Sequence, residues 1–146
     1  MRGDAAFVPA VSQVVNRAAG YRVAVARAGH SDDEPARPLC CGRTYLAAGL
    51  VDEAKREAGR MVNALAPHVA AGATIVGLEP SCLLSLRDEF LVMGLGAGAE
   101  QLSTRALMIE EFLAREHKDG RLRLPLQALP QKKALVHGHC HQKAFD

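Results

Sequence analysis

Apolar positions along the first half of the chain follow helical and strand spacings in turn. Pro9 begins a predicted helix that ends at Gly20, and residues 21–26 alternate as a strand does. A short helix is predicted after Gly42, and Asp52 is the predicted cap of a longer one. The apolar face of this longer helix consists of Ala54, Ala58, Met61, Val62, Leu65 and Val69.

The second half of the chain continues the same alternation. Residues 74–78 are a predicted strand, and residues 83–94 carry the apolar spacing of a helix. The glycine-rich run 94–98 is interpreted as a flexible joint, because it does not lead from a strand into a phosphate-binding helix. One amphipathic helix is predicted over 102–120, and residues 134–137 form the last predicted strand. The apolar positions of that helix are Leu102, Ala106, Ile109, Phe112 and Leu113.

Helices that alternate with strands favour an α/β fold, here a Rossmann-like parallel sheet with helices on both faces. With 146 residues and 49% hydrophobic side chains, the chain is predicted to form a single domain over residues 1–146. Such sheets bind their ligands outside the carboxyl ends of the strands, which is where we expect a site.

Charge and hydropathy exclude two classes of partner. The net charge of +2 is too small to indicate binding to nucleic acid or to a membrane surface, and Lys132 and Lys133 have no aromatic neighbours that could stack on bases. No apolar run approaches the roughly 20 residues that a transmembrane helix needs. We therefore expect no nucleic-acid partner, no transmembrane segment and a cytoplasmic location.

The chain contains four cysteines, each expected between the end of a predicted strand and the start of a helix. They are Cys40, Cys41, Cys82 and Cys140. Adjacent cysteines form a strained disulfide, and the chain shows no secretory signal, so reduced thiols, metal ligation or redox chemistry are favoured. These positions predict one shared centre at the carboxyl edge of the sheet. Since the cysteines are expected in loops, replacing Cys40 or Cys41 by serine should leave the core packing intact.

Several chemistries fit this centre. Three thiolates with an imidazole from His139 or His141 could form a tetrahedral zinc site. Several thiolates with an open position could hold iron and sulfide instead. A single cysteine with a lowered pKa would make a thiol catalyst. In the simplest alternative, Cys82 and Cys140 are small buried apolar residues.

Residues beside the cysteines could complete or position such a site. His137, His139 and His141 alternate, which places them on one side of an extended segment, and at most one is expected to bind metal. Ser81 is the predicted cap of the helix that carries Cys82. Glu79 could serve as an acid, as a ligand or as a hydrogen-bond acceptor in the loop.

Four ordered motifs resemble the cysteine-rich (CCG) domain of FAD-linked oxidases. The same domain type occurs in the iron–sulfur subunit of glycolate oxidase, in anaerobic glycerol-3-phosphate dehydrogenase and in heterodisulfide reductase. The resemblance begins at about Gly20 and continues to the end of the chain. The motifs are Cys-Cys-Gly-Arg at 40–43, Gly-Leu-x-Asp-Glu-Ala-Lys at 49–55, Glu-Pro-Ser-Cys at 79–82 with Leu-x-Asp-Glu-Phe at 86–90, and His-Gly-His-Cys-His-Gln-Lys-Ala at 137–144.

The resemblance implies an electron-transfer domain, or a domain that binds a redox centre or a partner, in an FAD-linked oxidoreductase. It implies a small 2-hydroxy acid such as lactate or glycolate as the substrate of the parent protein. The parent would hold an iron–sulfur cluster, with zinc as the alternative metal, and FAD on a domain outside this chain. A flavin-containing domain or subunit is the implied partner, through which the chain could associate with a membrane.

The chain departs from the family pattern at three places. The family has a cysteine before its Cys-Cys-Gly, and no cysteine precedes Cys40. Glu79 stands where the family has the first cysteine of Cys-x-x-Cys, and the second repeat that opens at Cys140 lacks its own Cys-Cys-Gly. We therefore expect a piece of a larger protein, without an intact cluster and without turnover of its own. The candidate metal ligands are Cys40, Cys41, Cys82, Cys140, His139 and His141.

Overall fold

The structure, a computed structural model, describes residues 39–125 and 127–145. The helix predicted from Pro9 and the strand predicted at 21–26 lie outside these residues. The chain divides into two units. The described part of the first, the cysteine unit, consists of residues 39–110 and 138–145 and contains all six candidate ligands. The described part of the second consists of the remaining residues up to position 137.

Helices make up most of the described regular structure. The helices are α1 Arg43–Ala47, α2 Val51–Ala70, α3 Pro80–Ser85, α4 Glu89–Val92, α5 Ala97–Arg105, α6 Ile109–Lys118 and α7 Cys140–Phe145. The strands are β1 Ile75–Gly77 and β2 Ala106–Met108. The first residues of α6 belong to the cysteine unit and the rest to the second unit.

The two described strands pair in parallel, and α3 follows the carboxyl end of β1. Ile75 lies opposite Ala106, and Gly77 lies opposite Met108. A Cβ atom at Gly77 would lie 2.7 Å from the Cβ of Leu83, so only glycine allows β1 and α3 to approach this closely. The described residues thus form helices and a small sheet of two parallel strands, which fits the predicted α/β class, and the Rossmann-like arrangement stays a prediction.

Strand β2 corrects the prediction of one helix over 102–120. The segment is helix, strand and helix: α5 ends at Arg105, and α6 begins at Ile109. Residues 106–109 are all apolar, and a short continuous apolar run fits a buried strand as well as a helix. Hydrogen bonding to β1 decides between the two, and it places the Ala106 and Met108 side chains in the core.

The strand predicted at 134–137 is wrong. The structure shows no regular secondary structure there, and the Leu135 and Val136 side chains are exposed. A strand needs a neighbour for its N–H and C=O groups as well as apolar residues. Among the described residues, this apolar run has no such neighbour. Cys140 consequently begins a helix without following a strand.

The helix predicted at 83–94 is in fact two short helices, and the joint predicted after it is shorter than expected. Helix α3 ends at Ser85, and α4 begins at Glu89. Gly94 and Gly96 have φ values of 69° and 72°, where glycine is favoured. Helix α5 already begins at Ala97, so part of the predicted joint is helical.

The core of the cysteine unit lies between helices and sheet, with α2 packed against α5 and α3 packed against both strands. The predicted apolar face of α2 is confirmed, since Ala54, Ala58, Val62 and Leu65 are buried and Met61 and Val69 are partly buried against the core. Asp52 lies in the first turn of α2 and does not cap it; the capping position is Leu50. The main core residues are Cys41, Ala58, Val62, Leu65, Leu83, Leu86, Phe90, Ala99, Leu102, Ala106 and Met108. Within the described residues, every helix is too short or too polar to cross a membrane.

Candidate functional site

Cys41 and Cys82 meet in the cysteine unit although 41 positions separate them. Their Sγ atoms lie 3.1 Å apart, within hydrogen-bonding distance for sulfur. Only 4% of Cys41 is exposed, and its side chain belongs to the core, whereas Cys82 is exposed on α3. The structure therefore brings together two predicted site cysteines, one of them accessible from solvent. It corrects the expectation that all four cysteines lie outside the core.

Gly42 determines how Cys41 enters the core. Its φ of 80° lets the backbone turn into α1, and a Cβ atom at this position would lie 2.6 Å from the carbonyl oxygen of Ala54 in α2. Only glycine satisfies both conditions. The Gly42 N–H also donates a hydrogen bond to the Sγ of Cys40 at 3.4 Å. The two adjacent cysteines thus differ: Cys40 accepts from its own loop, and Cys41 contacts Cys82.

Glu79 holds the first turn of α3, which carries Cys82. Its carboxylate accepts hydrogen bonds from the backbone N–H groups of Ser81, at 3.1 Å, and Cys82, at 2.6 Å. Glu79 is therefore the capping residue, and the predicted cap at Ser81 is wrong. Of the roles considered for Glu79, the structure shows that of a hydrogen-bond acceptor in the loop.

Contact between the two thiols changes their acidity in opposite directions. Its hydrogen bond with Cys82 lowers the pKa of Cys41 to about 6, although burial opposes the change. The same hydrogen bond raises the pKa of Cys82, and burial and the nearby Glu79 carboxylate raise it further. Such a pair loses its first proton easily and its second with difficulty. Near neutral pH the pair therefore carries one negative charge.

His139 and His141 both contact Ser81, the residue that precedes Cys82. The Ser81 Oγ is 3.1 Å from Nδ1 of His141 and 3.5 Å from Nε2 of His139. The two rings stack with centroids 5.3 Å apart. His141 lies inside α7, so the predicted alternation along an extended segment is wrong, although both imidazoles do reach the residue beside Cys82.

Polar contacts fasten α7 to the rest of the cysteine unit. The Gln142 side chain accepts from the His139 N–H at 3.0 Å and donates to the Glu110 carboxylate, just after β2. The Arg87 guanidinium lies 5.6 Å from the centre of the Phe145 ring. Since α7 also packs against α3, the histidines are held where both strands end.

The candidate ligands are only partly assembled. Among the residues that the structure describes, no group of three or more His, Cys, Asp or Glu side chains is arranged to hold a metal ion. Zinc and iron–sulfur sites generally need four protein ligands. The described side chains therefore fit part of such a site, and Cys140 is exposed at the start of α7. The full ligand set remains a prediction.

Three residues of this site carry no metal-ligand signal in the sequence. Ser81, Glu110 and Gln142 position the histidine segment through hydrogen bonds. Ser81 lies in the Glu-Pro-Ser-Cys motif together with Cys82, but nothing in the sequence indicates that the serine faces two imidazoles.

Arg43 forms an ordinary salt bridge with Glu89, in which the nitrogen and oxygen atoms are 2.6 Å apart.

Removing the Glu79 carboxylate should weaken α3. We expect Glu79→Ala to lower the free energy of unfolding by about 1 kcal/mol near neutral pH, the usual loss for a helix cap. Partial burial would raise the pKa of Glu79, but hydrogen bonds from Cys82 and Ser81 outweigh it and lower the pKa. The contribution is therefore present above the unfolded-state pKa of about 4.3, and it is lost as the pH falls through the lower folded-state value.

Asp88→Ala is the matched control for this prediction. Asp88 holds the capping position of α4, but no hydrogen bond joins its side chain to the described N–H groups of that helix. Urea unfolding of both variants between pH 7 and pH 2 measures the difference. A loss for Glu79→Ala that is no larger than for Asp88→Ala, or that persists in acid, would contradict the capping role.

Comparison with known proteins finds two similar chains. Each is a subunit of an anaerobic glycerol-3-phosphate dehydrogenase, one from Escherichia coli K12 and one from Escherichia coli O157:H7. Each is 29% identical to this chain over 105 residues, which is 71% of this chain and 26% of the relative. The chain thus spans about a quarter of their length. No family model and no solved structure matches it.

Proposed function

We propose that this chain is an electron-transfer domain of a flavin-linked dehydrogenase, with a redox centre built on Cys41 and Cys82. The 3.1 Å contact between their sulfur atoms is the observation that carries the proposal. Similarity to a dehydrogenase subunit supports it, since a dehydrogenase must pass on the electrons that it removes from its substrate. Sulfur ligands and cofactors are the usual carriers of such electrons.

The flavin and the oxidised substrate belong, in this proposal, to a partner domain or subunit. The two relatives are themselves named as subunits and are much longer than this chain, which supports a division of labour. Their name specifies glycerol 3-phosphate, which is said of those proteins. The 2-hydroxy acid predicted from the resemblance gains no support from them.

An iron–sulfur cluster would use Cys41 and Cys82 as two of its thiolate ligands. Its other ligands would be Cys40, Cys140, residues outside the described ranges or residues of the partner. A zinc ion would likewise need further ligands, since the two cysteines supply only half of a tetrahedral site. A structural zinc module has no observation in its favour beyond this pair.

The surroundings of the two sulfur atoms suit electron transfer with a partner protein. Cys82 is exposed, so a donor can approach its sulfur directly. Cys41 is buried in the core and lies 3.1 Å behind it. Glu79 fixes the turn that carries Cys82, and Gly42 fixes the backbone beside Cys41. Both sulfur atoms thus occupy defined positions, one of them at the surface.

An anaerobic redox titration of the full chain tests this function. Photoreduced flavin serves as the donor, and the chain is titrated as isolated and after reconstitution with iron and sulfide. We expect reversible uptake of electrons in at least one preparation, and loss of that uptake in Cys82→Ser. Val92→Ala is the control, because Val92 is exposed in the short helix α4 and is not a candidate ligand. No reversible uptake in either preparation, or unchanged uptake in Cys82→Ser, would refute the proposal.

A further inference from the structure

We propose that Cys41 and Cys82 form a reversible disulfide, so that the pair itself is a two-electron carrier. The inference deepens the proposed electron-transfer function and rests on it for the natural donor, a reduced flavin. Both sulfur atoms of the bond belong to this chain, so the bond itself can be tested without the natural donor.

The two sulfur atoms are already close to bonding distance. They lie 3.1 Å apart, and a disulfide bond is about 2.05 Å long, so they must approach by about 1 Å. Cys41 precedes α1 in residues without regular secondary structure, and Cys82 lies in the first turn of α3. Side-chain rotation with a small shift of the loop can supply this movement, while both helices stay in place.

The surroundings favour this pair over other pairings of the four cysteines. A bond between Cys40 and Cys41 would be strained, as it is for any adjacent pair. Cys40 instead accepts a hydrogen bond from its own loop. Cys140 is exposed, and among the described residues no sulfur contact joins it to another cysteine. An external disulfide therefore meets Cys82 at the surface, and Cys41 is the neighbour that can resolve the adduct.

Oxidation of the pair balances with a small disulfide as oxidant. The proton of Cys82 passes to the neighbouring Cys41 thiolate while the Cys82 sulfur attacks one sulfur of the small disulfide. The S–S bond of the small disulfide breaks, and the first small thiol leaves as a thiolate that takes up a proton from solvent. The Cys41 sulfur then attacks Cys82, and the second small thiol leaves with the Cys41 proton. One internal S–S bond has formed, two protein thiols have lost two electrons, and one small disulfide has become two thiols.

Reduction by a dihydroflavin reverses this change. Two electrons and two protons pass from the flavin to the internal disulfide, its S–S bond breaks, and each sulfur regains a proton. The flavin returns to its oxidised form. A disulfide accepts two electrons at once and needs no further ligand, which agrees with the assembly of two cysteines among the described residues.

Mass spectrometry after equilibration in glutathione redox buffers tests the disulfide. The full chain is equilibrated anaerobically, its remaining thiols are alkylated, and its tryptic peptides are mapped. We expect a peptide pair that links Cys41 to Cys82, with two hydrogen atoms lost and a single two-electron transition. Cys82→Ser should abolish the link, and Cys40→Ser and Cys140→Ser should retain it. Since Cys82 is exposed, its replacement leaves the folded core unchanged.

Three results would overturn the inference. The first is a disulfide between Cys40 and Cys41, and the second is a disulfide between two chains through Cys140. The third is a glutathione adduct on Cys82 that does not go on to form the disulfide with Cys41. If iron-reconstituted chain takes up electrons while no internal disulfide forms, the inference fails and the electron-transfer function stands. If the disulfide forms but photoreduced flavin does not reduce it, the couple is upheld and its proposed role in flavin-linked transfer fails.

Discussion

Replacing Gly42 by alanine should destabilise the cysteine unit by about 2–5 kcal/mol. The φ of 80° costs a non-glycine residue about 1–2 kcal/mol, and the new Cβ would lie 2.6 Å from the Ala54 carbonyl oxygen. Relieving such a clash costs about 1–3 kcal/mol more, because backbone has to move. Urea unfolding of the variant and the parent chain measures the loss.

Gly49→Ala is the control that separates the cost of a positive φ from the cost of the clash between the new Cβ and α2. Gly49 follows α1 as Gly42 precedes it, and its φ is 76°, but no described atom lies within 4 Å of a Cβ built there. We expect it to cost about 1–2 kcal/mol, the backbone term alone. Thiol labelling should also show Cys41 more reactive in Gly42→Ala than in Gly49→Ala. Equal losses in the two variants would mean that the approach of Gly42 to α2 is unimportant.

Phe90→Ala should destabilise the cysteine unit by about 3–5 kcal/mol, the range for large-to-small changes of a buried aromatic residue. The Phe90 side chain is fully buried and belongs to the same core cluster as residues of α2, α3 and α5. Its removal leaves a cavity that the short helix α4 cannot fill without moving. Thermal and urea unfolding should both show the loss.

Val92→Ala is the control in the same helix. Val92 is 82% exposed, so its truncation should change the free energy of unfolding by less than about 0.5 kcal/mol. Both variants remove apolar atoms from α4, and they differ in burial. A loss below about 1 kcal/mol for Phe90→Ala would show that the core does not depend on this helix.

Long-period patterns were predictable from the sequence, and short ones were not. The face of α2 repeats over 20 residues, so its helical spacing is distinct from any strand spacing. Strand β2 has three residues, and the strand predicted at 134–137 has four. At such lengths the apolar pattern is the same for helix, strand and irregular chain. Strand β2 forms because it pairs with β1, and a short apolar pattern in the sequence does not reveal such a tertiary contact.

Within the candidate site, residue types were predictable and positions were not. Cys41 and Cys82 were expected to meet, and they do. The burial of Cys41 was missed, because it follows from the approach of Gly42 to α2, a contact between distant segments. Glu79 was expected as one possible hydrogen-bond acceptor, but the backbone angles determine that Glu79, and not Ser81, caps α3. The longer glutamate side chain reaches two N–H groups at once.

The proposed disulfide would also couple the redox state of this unit to its folding. A bond between Cys41 and Cys82 would close a loop of 41 residues that contains α1, α2 and β1. Chain-entropy arithmetic for a loop of that length gives a stabilisation of about 4 kcal/mol, because the unfolded chain loses freedom. By thermodynamic linkage, unfolding must make the bond easier to reduce by the same amount. Reduction would therefore loosen the unit, and partial unfolding would favour reduction.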